Sequence, residues 1–272
     1  MRKNKLGYLV FVSIMLFALL GGCTKSNDGT SNIEEVAFDY SRILDENGFW
    51  EGIRANDYVN VEKYLRLQIP RHIHYVSMGA LQNEMKNFLD FYEITESELT
   101  DDFVVANLSD GIGWATVDEL KEGLRLELQR ELIMLYVEQH LSIGELLKPI
   151  PNHLMQYIES ALVAEYRKLA EDNEMELDEF LSLTVGVSNE HELLEKFSEG
   201  NIATAIYSFT AQAIAENEGI TVSQEDLDDF MLTNFGFGEY SLFENMYGRP
   251  FLMKLALYKK VVNFIIDNAI LE

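Results

Sequence analysis

The feature that most constrains the fold is a segment near the C-terminus, residues 250–270, which is apolar on nearly every helical face. Pro250 suits the first turn of a helix, so the segment predicts a helix that begins there. A helix that is apolar all round is normally buried by several neighbours, so the chain must supply other helices around it. Its apolar positions are Phe251, Leu252, Leu255, Leu257, Tyr258, Val261, Val262, Phe264, Ile265 and Ile266.

Helical periodicity earlier in the chain predicts those neighbours. The clearest start is a capping box, S/T-x-x-E, formed by Thr116 and Glu119. Residues 65–69 alternate apolar and polar side chains, which predicts a short strand that Pro70 ends. The predicted fold is mainly α, an extended multi-helix domain with helical arms and a short N-terminal strand. The predicted helix starts are Ser77, Thr116, Pro151, Glu176, Ser188 and Ser223, with the helix after Ser188 running over residues 190–215 and Gly219 as its stop.

The first 23 residues have the pattern of an export signal. Three basic residues precede an apolar run, residues 8–20, which is shorter than the roughly 20 residues of a membrane span and suits a signal-peptide core. The run leads into Gly22 and Cys23, as in the lipobox of bacterial lipoproteins. Cleavage between these two residues would leave the Cys23 thiol for lipidation, for example by palmitate. The alternative is an uncleaved anchor with an incidental cysteine.

These patterns divide the chain into three parts. Residues 1–22 are the predicted signal peptide, residues 23–56 the lipidated cysteine with a flexible tether, and residues 57–272 one helical domain. Acyl chains on Cys23 would hold the protein at a membrane. The expected location is therefore the extracytoplasmic face of a bacterial cell membrane.

Charge and chemistry exclude several function classes. The chain has 46 Asp and Glu against 21 Lys and Arg, a net charge of −25, which argues against nucleic acid as a partner. Its single cysteine cannot form an internal disulfide or a multi-cysteine metal site. Neither a G-x-S-x-G motif nor a phosphate-binding loop occurs, and the close pair His72 and His74 lacks further ligands at metal spacing. We therefore expect no enzyme activity, no cofactor and no metal.

Aromatic residues cluster around glycines late in the chain. Two interpretations stay open: the rings contact an unfolded client, or they pack a turn. Methionines and aromatic rings adapt to varied apolar partners, but at helical spacing they usually belong to a core. The candidate client-binding residues are Phe235, Phe237, Tyr240, Phe243 and Tyr247.

From residue 99 onward, the order of segments resembles the C-terminal chaperone domain of the trigger factor family. Residues 99–104 (LTDDFV) and 113–120 (GWATVDEL) resemble the start of that domain, and residues 148–151 (KPIP) resemble the start of its first arm. Residues 177–183 (LDEFLSL) are similar to a short helix of the family, and residues 213–226 (AIAENEGITVSQED) give the most specific likeness.

The resemblance implies a chaperone without catalytic residues. Residues 58–89 look like the strand and helix that open this domain in secreted trigger-factor-like lipoproteins. In those relatives an isomerase module of the FK506-binding type follows, whereas only residues 90–98 occupy its place here, too few for a small β-barrel. Residues 48–55 echo the family's ribosome-docking motif, but its basic residues are displaced or replaced and its proline is absent, so no ribosome contact is expected.

Together these observations lead to one expected function and one alternative. The expected function is a lipid-anchored, non-catalytic holdase that binds unfolded or newly exported polypeptides in an apolar helical cradle. The alternative is an adaptor or structural lipoprotein that holds one specific envelope partner. Either protein would use no cofactor and would reach the membrane through its lipid anchor alone.

Overall fold

The computed structural model describes residues 38–109, 113–235 and 240–272. The predicted cleavage site at Gly22 and Cys23, and the candidate residue Phe237, lie outside these ranges. The described chain is mainly α, as predicted. Within it, no helix is both long and apolar enough to cross a membrane.

The elements follow one another as helices with one small sheet. Two short 3-10 turns, Ala55–Asp57 and Glu62–Tyr64, come first. The strands are β1 (Gln68–Ile69) and β2 (Ile270–Leu271). The helices are α1 (Arg71–His74), α2 (Met78–Phe91), α3 (Asp101–Leu108), α4 (Val117–Ser142), α5 (Asn152–Asp172), α6 (Leu177–Thr184), α7 (Glu190–Lys196), α8 (Ser198–Glu218), α9 (Gln224–Phe235), α10 (Ser241–Tyr247) and α11 (Arg249–Asn268).

The chain forms two compact units rather than the single domain expected over residues 57–272. Unit 1 comprises residues up to 63 together with residues 140–263, and unit 2 comprises residues 64–139 and 264–272. The predicted single domain assumed that contacts run along the chain. Instead, the last residues of the chain join the early helices in unit 2.

The core of unit 1 is built on α8 and α11. Seven consecutive side chains of α11, residues 251–257, are buried, which agrees with the prediction of a helix surrounded on all faces. Residues 207–215 of α8 are also buried without interruption. A second cluster joins α5, α6 and α7 through Leu162, Phe180 and Leu193.

Residues 38–56 are folded onto unit 1, in contrast to the flexible tether expected over residues 23–56. Trp50 is buried, its backbone N–H donates to Gln212 Oε1 at 2.9 Å, and its indole N–H donates to Ser208 Oγ at 2.7 Å. The Ala55 N–H donates to Glu216 Oε1 at 3.1 Å. Side chains of α8 accept these backbone N–H groups, and turns within the segment pair others, so the segment is held with little regular secondary structure.

A glycine allows this segment to approach α11. Gly48 has φ +81°, and a Cβ at that position would lie 2.4 Å from the backbone nitrogen of Lys254. Only glycine tolerates both the left-handed conformation and this close approach. The residues that echo a ribosome-docking motif therefore have a structural role here.

Unit 2 has a small core and a short parallel sheet. Gln68 and Ile69 pair with Ile270 and Leu271, so the predicted strand is present but is shorter than residues 65–69. The buried cluster contains Val104, Leu108, Leu120 and Leu124, and partly buried side chains of α2 pack against it. No side chain of α2 is buried completely.

Local capping signals place most helix boundaries as predicted. Ser77 Oγ accepts from Ala80 N–H, and the Thr116–Glu119 box closes reciprocally at 3.1 and 3.0 Å. Gly219 ends α8 in the left-handed conformation. One prediction is wrong: the helix expected over residues 190–215 is divided at Phe197 into α7 and α8.

Candidate binding surfaces

The aromatic residues predicted to contact a client are buried where the structure describes them. Phe235, Tyr240, Phe243 and Tyr247 all lie in the core of unit 1. The rings of Phe235 and Phe243 lie 5.7 Å apart, and Tyr247 stacks on Phe251 at 5.7 Å. The structure therefore agrees with the packing interpretation, and of these four residues Tyr247 also lines a groove of unit 1.

The pair His72 and His74 lies in the short helix α1, which begins directly after Pro70. His74 Nε2 is 3.2 Å from the backbone oxygen of Glu272, and its Nδ1 is 3.1 Å from Gln129 Nε2. Both ring nitrogens thus have protein partners. Across the described residues, no group of three or more His, Cys, Asp or Glu side chains could hold a metal ion.

Unit 2 carries a group of aromatic rings that we call the aromatic surface: the exposed Phe91 and the half-buried Phe88, Tyr92 and Phe103. Tyr92 is its centre, with ring centroids 4.8 Å from Phe88, 5.0 Å from Phe91 and 5.5 Å from Phe103. Phe91 is 79% exposed. At the other end of α2, Met78 is 77% exposed.

This surface is strongly acidic. Between Lys86 and Lys121 the sequence has nine Asp or Glu and no Lys or Arg. On the facing helix α4, burial and then the charges of Glu84 and Glu127 raise the pKa of the Glu131 carboxyl. Carboxylates of α2 and α4 therefore repel one another, which agrees with the incomplete burial of α2.

Unit 1 contains a groove of about 670 Å³ along one face of α5. The floor consists of residues spaced three and four apart on that helix, from Gln156 to Glu171. Segment 38–42, α7 and α10 form the walls. The apolar lining residues include Phe38, Val163 and Leu194.

Charged groups of both signs line this groove. The Arg42 guanidinium lies over the rings of Phe38 and Tyr157, with its central carbon 4.8 and 5.5 Å from their centroids. Lys168 Nζ lies 3.0 Å from the Tyr247 hydroxyl and 2.9 Å from Met246 Sδ.

The two ends of α5 within the groove also carry acids. The carboxylates of Glu159 and Glu171 have no hydrogen-bond or ion-pair partner among the described residues. Arg167 and Glu190, by contrast, form an ion pair with each other. The groove therefore offers uncommitted acceptors as well as uncommitted donors.

Behind the groove lies a buried carboxyl group. The Tyr40 hydroxyl donates to Glu165 Oε1 at 2.5 Å, and Oε2 of the same group has no partner. Burial raises the pKa of Glu165, although the bond from Tyr40 and the charge of Lys168 act in the opposite direction. This bond fixes the Tyr40 ring in the groove wall.

The sequence predicted neither the aromatic surface nor the groove as a site. Phe88 and Tyr92 lie four residues apart, as on an apolar helical face, and this spacing gives no sign that the core beneath is small. The residues of α5 that line the groove have the same helical spacing as the residues of its buried face. Nothing in the sequence around them shows that segment 38–42 packs along one side of the groove. Comparisons with protein-family models, curated proteins and solved structures found no match.

Proposed function

We propose that the protein is a lipid-anchored extracytoplasmic chaperone that holds unfolded or newly exported polypeptides without catalysis. The observation that carries the proposal is the exposure of Met78 and Phe91 on α2, a helix that buries none of its side chains completely. Apolar area removed from water contributes about 25 cal/mol per Å², so such side chains bind unfolded segments without selecting their sequence.

The acidic groups around the aromatic surface support the same function. They keep apolar rings soluble at the surface of the protein, because net charge opposes self-association. They also disfavour strongly acidic clients. The resemblance of the segment order to the trigger factor chaperone domain agrees with this proposal, and the lipobox at Cys23 supports the proposed location.

The test measures aggregation of two unrelated unfolded proteins by light scattering after dilution from denaturant. The mature protein is expected to suppress aggregation of both. The double substitution Met78→Ser and Phe91→Ser should raise the concentration needed for half suppression about fivefold, as expected for a loss of about 1 kcal/mol of apolar contact.

A matched control comes from unit 1. Leu183 is 73% exposed on α6, so Leu183→Ser removes a similarly exposed apolar side chain outside the aromatic surface. This variant should behave as the wild type does. Failure to suppress either client, combined with capture of one partner from envelope extracts, would favour the adaptor instead.

A further inference from the structure

We propose that the groove along α5 binds an extended polypeptide segment with an apolar centre and charged residues of opposite sign at its ends. The inference rests on the proposed chaperone function, since the segment would belong to a client. It adds a selective site in unit 1 to the non-selective aromatic surface of unit 2.

The length of the groove fits a short peptide. From Gln156 to Glu171 the floor rises through 15 helical residues, or about 22 Å. An extended chain advances about 3.3 Å per residue, so roughly seven residues span this length and a six-residue probe fits within it. The volume of about 670 Å³ lies within the range of pockets that enclose ligands of this order.

The charges of the groove select the ends of that segment. An ammonium group has three donors, and Tyr247 and Met246 use two donors of Lys168, which leaves one for a ligand carboxylate. The Arg42 guanidinium is held by ring faces rather than by a carboxylate. Both cations can therefore pair with an acidic group on a ligand.

The carboxylates that line the groove favour a ligand that also carries positively charged groups. Glu159 and Glu171 lie toward the two ends of the floor, and their carboxylates accept hydrogen bonds from donors that the described residues do not supply. A single-chain amphiphile with one anionic head would satisfy the cations and leave these carboxylates opposite its apolar tail. A polypeptide segment with both signs of charge satisfies all four groups.

The groove also offers apolar side chains beside its charged groups. Val163 and Ala164 form the middle of the floor, with Phe38, Leu194 and Met246 beside them. Apolar side chains of a bound segment would lie there, and their burial would supply most of the affinity. The charged ends would add selectivity, because exposed ion pairs contribute only about 0.2–1 kcal/mol each.

The experiment measures binding of three fluorescent probes to the mature protein by anisotropy. They are the capped peptide ELVFLK, its uncharged counterpart QLVFLQ, and labelled dodecanoate. ELVFLK should bind about fivefold more tightly than QLVFLQ. The double substitution Arg42→Gln and Lys168→Gln should reduce the preference for ELVFLK over QLVFLQ to about twofold, because Glu159 and Glu171 still pair with the lysine of the probe.

A bulky substitution tests the location. Ala164→Arg fills the middle of the floor and should abolish binding of both peptides, whereas Ser182→Arg, at an exposed position of α6, should leave binding unchanged. Circular dichroism checks that each variant is folded, and the charge variant tests the site independently if Ala164→Arg does not fold.

Two results would overturn the inference: peptide binding that survives both sets of groove substitutions, or binding of dodecanoate without binding of ELVFLK. Its failure is distinguishable from failure of the chaperone function. If the wild type binds ELVFLK in the groove but suppresses no aggregation, the chaperone proposal fails and the groove remains a peptide site. If aggregation is suppressed and no peptide binds, only the groove proposal fails.

Discussion

At the scale of single residues, Lys254 is the least favourable group in the core of unit 1. Its side chain is buried in α11, with Nζ 2.9 Å from the centroid of the Trp50 ring. Burial lowers the pKa of its ammonium group well below the usual value. The ring face favours the charged form, whereas desolvation lowers the pKa, so folding shifts Lys254 toward the neutral amine.

Because the Lys254 side chain is buried, we expect the free energy of unfolding to depend on pH. Because the pKa of Lys254 is lower in the folded chain than in the unfolded chain, the free energy of unfolding rises with pH between the lowered pKa and the ordinary value of about 10.4. Lys254→Met should raise the free energy of unfolding at pH 7 by on the order of 1 kcal/mol. Burying an uncompensated polar group costs about 1–3 kcal/mol, and methionine removes this cost. Loss of the contact between the Lys254 ammonium and the Trp50 ring opposes part of the gain. Urea unfolding at pH 7 and pH 10 measures this.

The advantage of Lys254→Met should shrink at pH 10, where the unfolded chain also begins to lose its proton. The matched control is Lys148→Met, which removes an exposed lysine paired with Asp57 at 3.2 Å. Surface pairs of this kind contribute at most about 1 kcal/mol, so the control should change stability little. Equal gains at both pH values for Lys254→Met would contradict a lowered pKa of the buried amine.

At the scale of helices, α2 and α5 are each followed by a glutamate in an unfavourable left-handed backbone conformation. Glu93 and Glu174 adopt φ +53° and +56° directly after α2 and α5. At the end of α2 the Ile94 N–H donates to the Leu89 carbonyl and the Glu93 N–H to that of Asp90, which is the Schellman arrangement. Its left-handed position favours glycine, as in Gly186 after α6.

Glu93→Gly is therefore expected to stabilise unit 2. A left-handed conformation costs about 1–2 kcal/mol for a residue with Cβ, and the greater freedom of glycine in the unfolded chain opposes roughly half of this. We expect a net gain of about 0.5–1 kcal/mol in the free energy of unfolding. Glu93→Ala is the control, because it removes the same charge and keeps the Cβ. If alanine stabilises as much as glycine, helix-dipole charge rather than backbone strain is responsible.

The same helices show what local sequence can predict. The caps at Ser77 and Thr116 were predicted because a side chain and a backbone N–H three residues apart form the whole interaction. The break at Phe197 was not, since periodicity continues across it. The order of segment 38–56 was also unpredictable, because its partners Ser208, Gln212 and Glu216 lie about 160 residues away.

The candidate surfaces were harder to predict than the helices for a related reason. Exposure is a property of tertiary packing, so Phe91 and Phe243 look alike in sequence although one is exposed and the other buried. The glycine-rich context of the second ring left both client contact and packing open. The structure packs this ring against Phe235 and other core residues.

At the scale of the whole molecule, the net charge of −25 and the proposed lipid anchor act against each other at a membrane. Anionic lipid heads repel an acidic protein, so the charge itself gives no attraction to the bilayer. The anchor must therefore supply all of the binding. Each buried CH₂ contributes about 0.8 kcal/mol, and stable anchoring takes two acyl chains or more.

Cys23→Ser tests this directly in the bacterium that expresses the full chain. Without the thiol no acyl chain can be attached, so the protein should move from the membrane pellet to the soluble fraction, and its mass should lack the acyl groups found on the wild type. Lys25→Ser, two residues away in the same polar stretch, is the control and should stay with the membrane. A Cys23→Ser protein that remains in the pellet after a high-salt wash would show that another part of the chain holds it there.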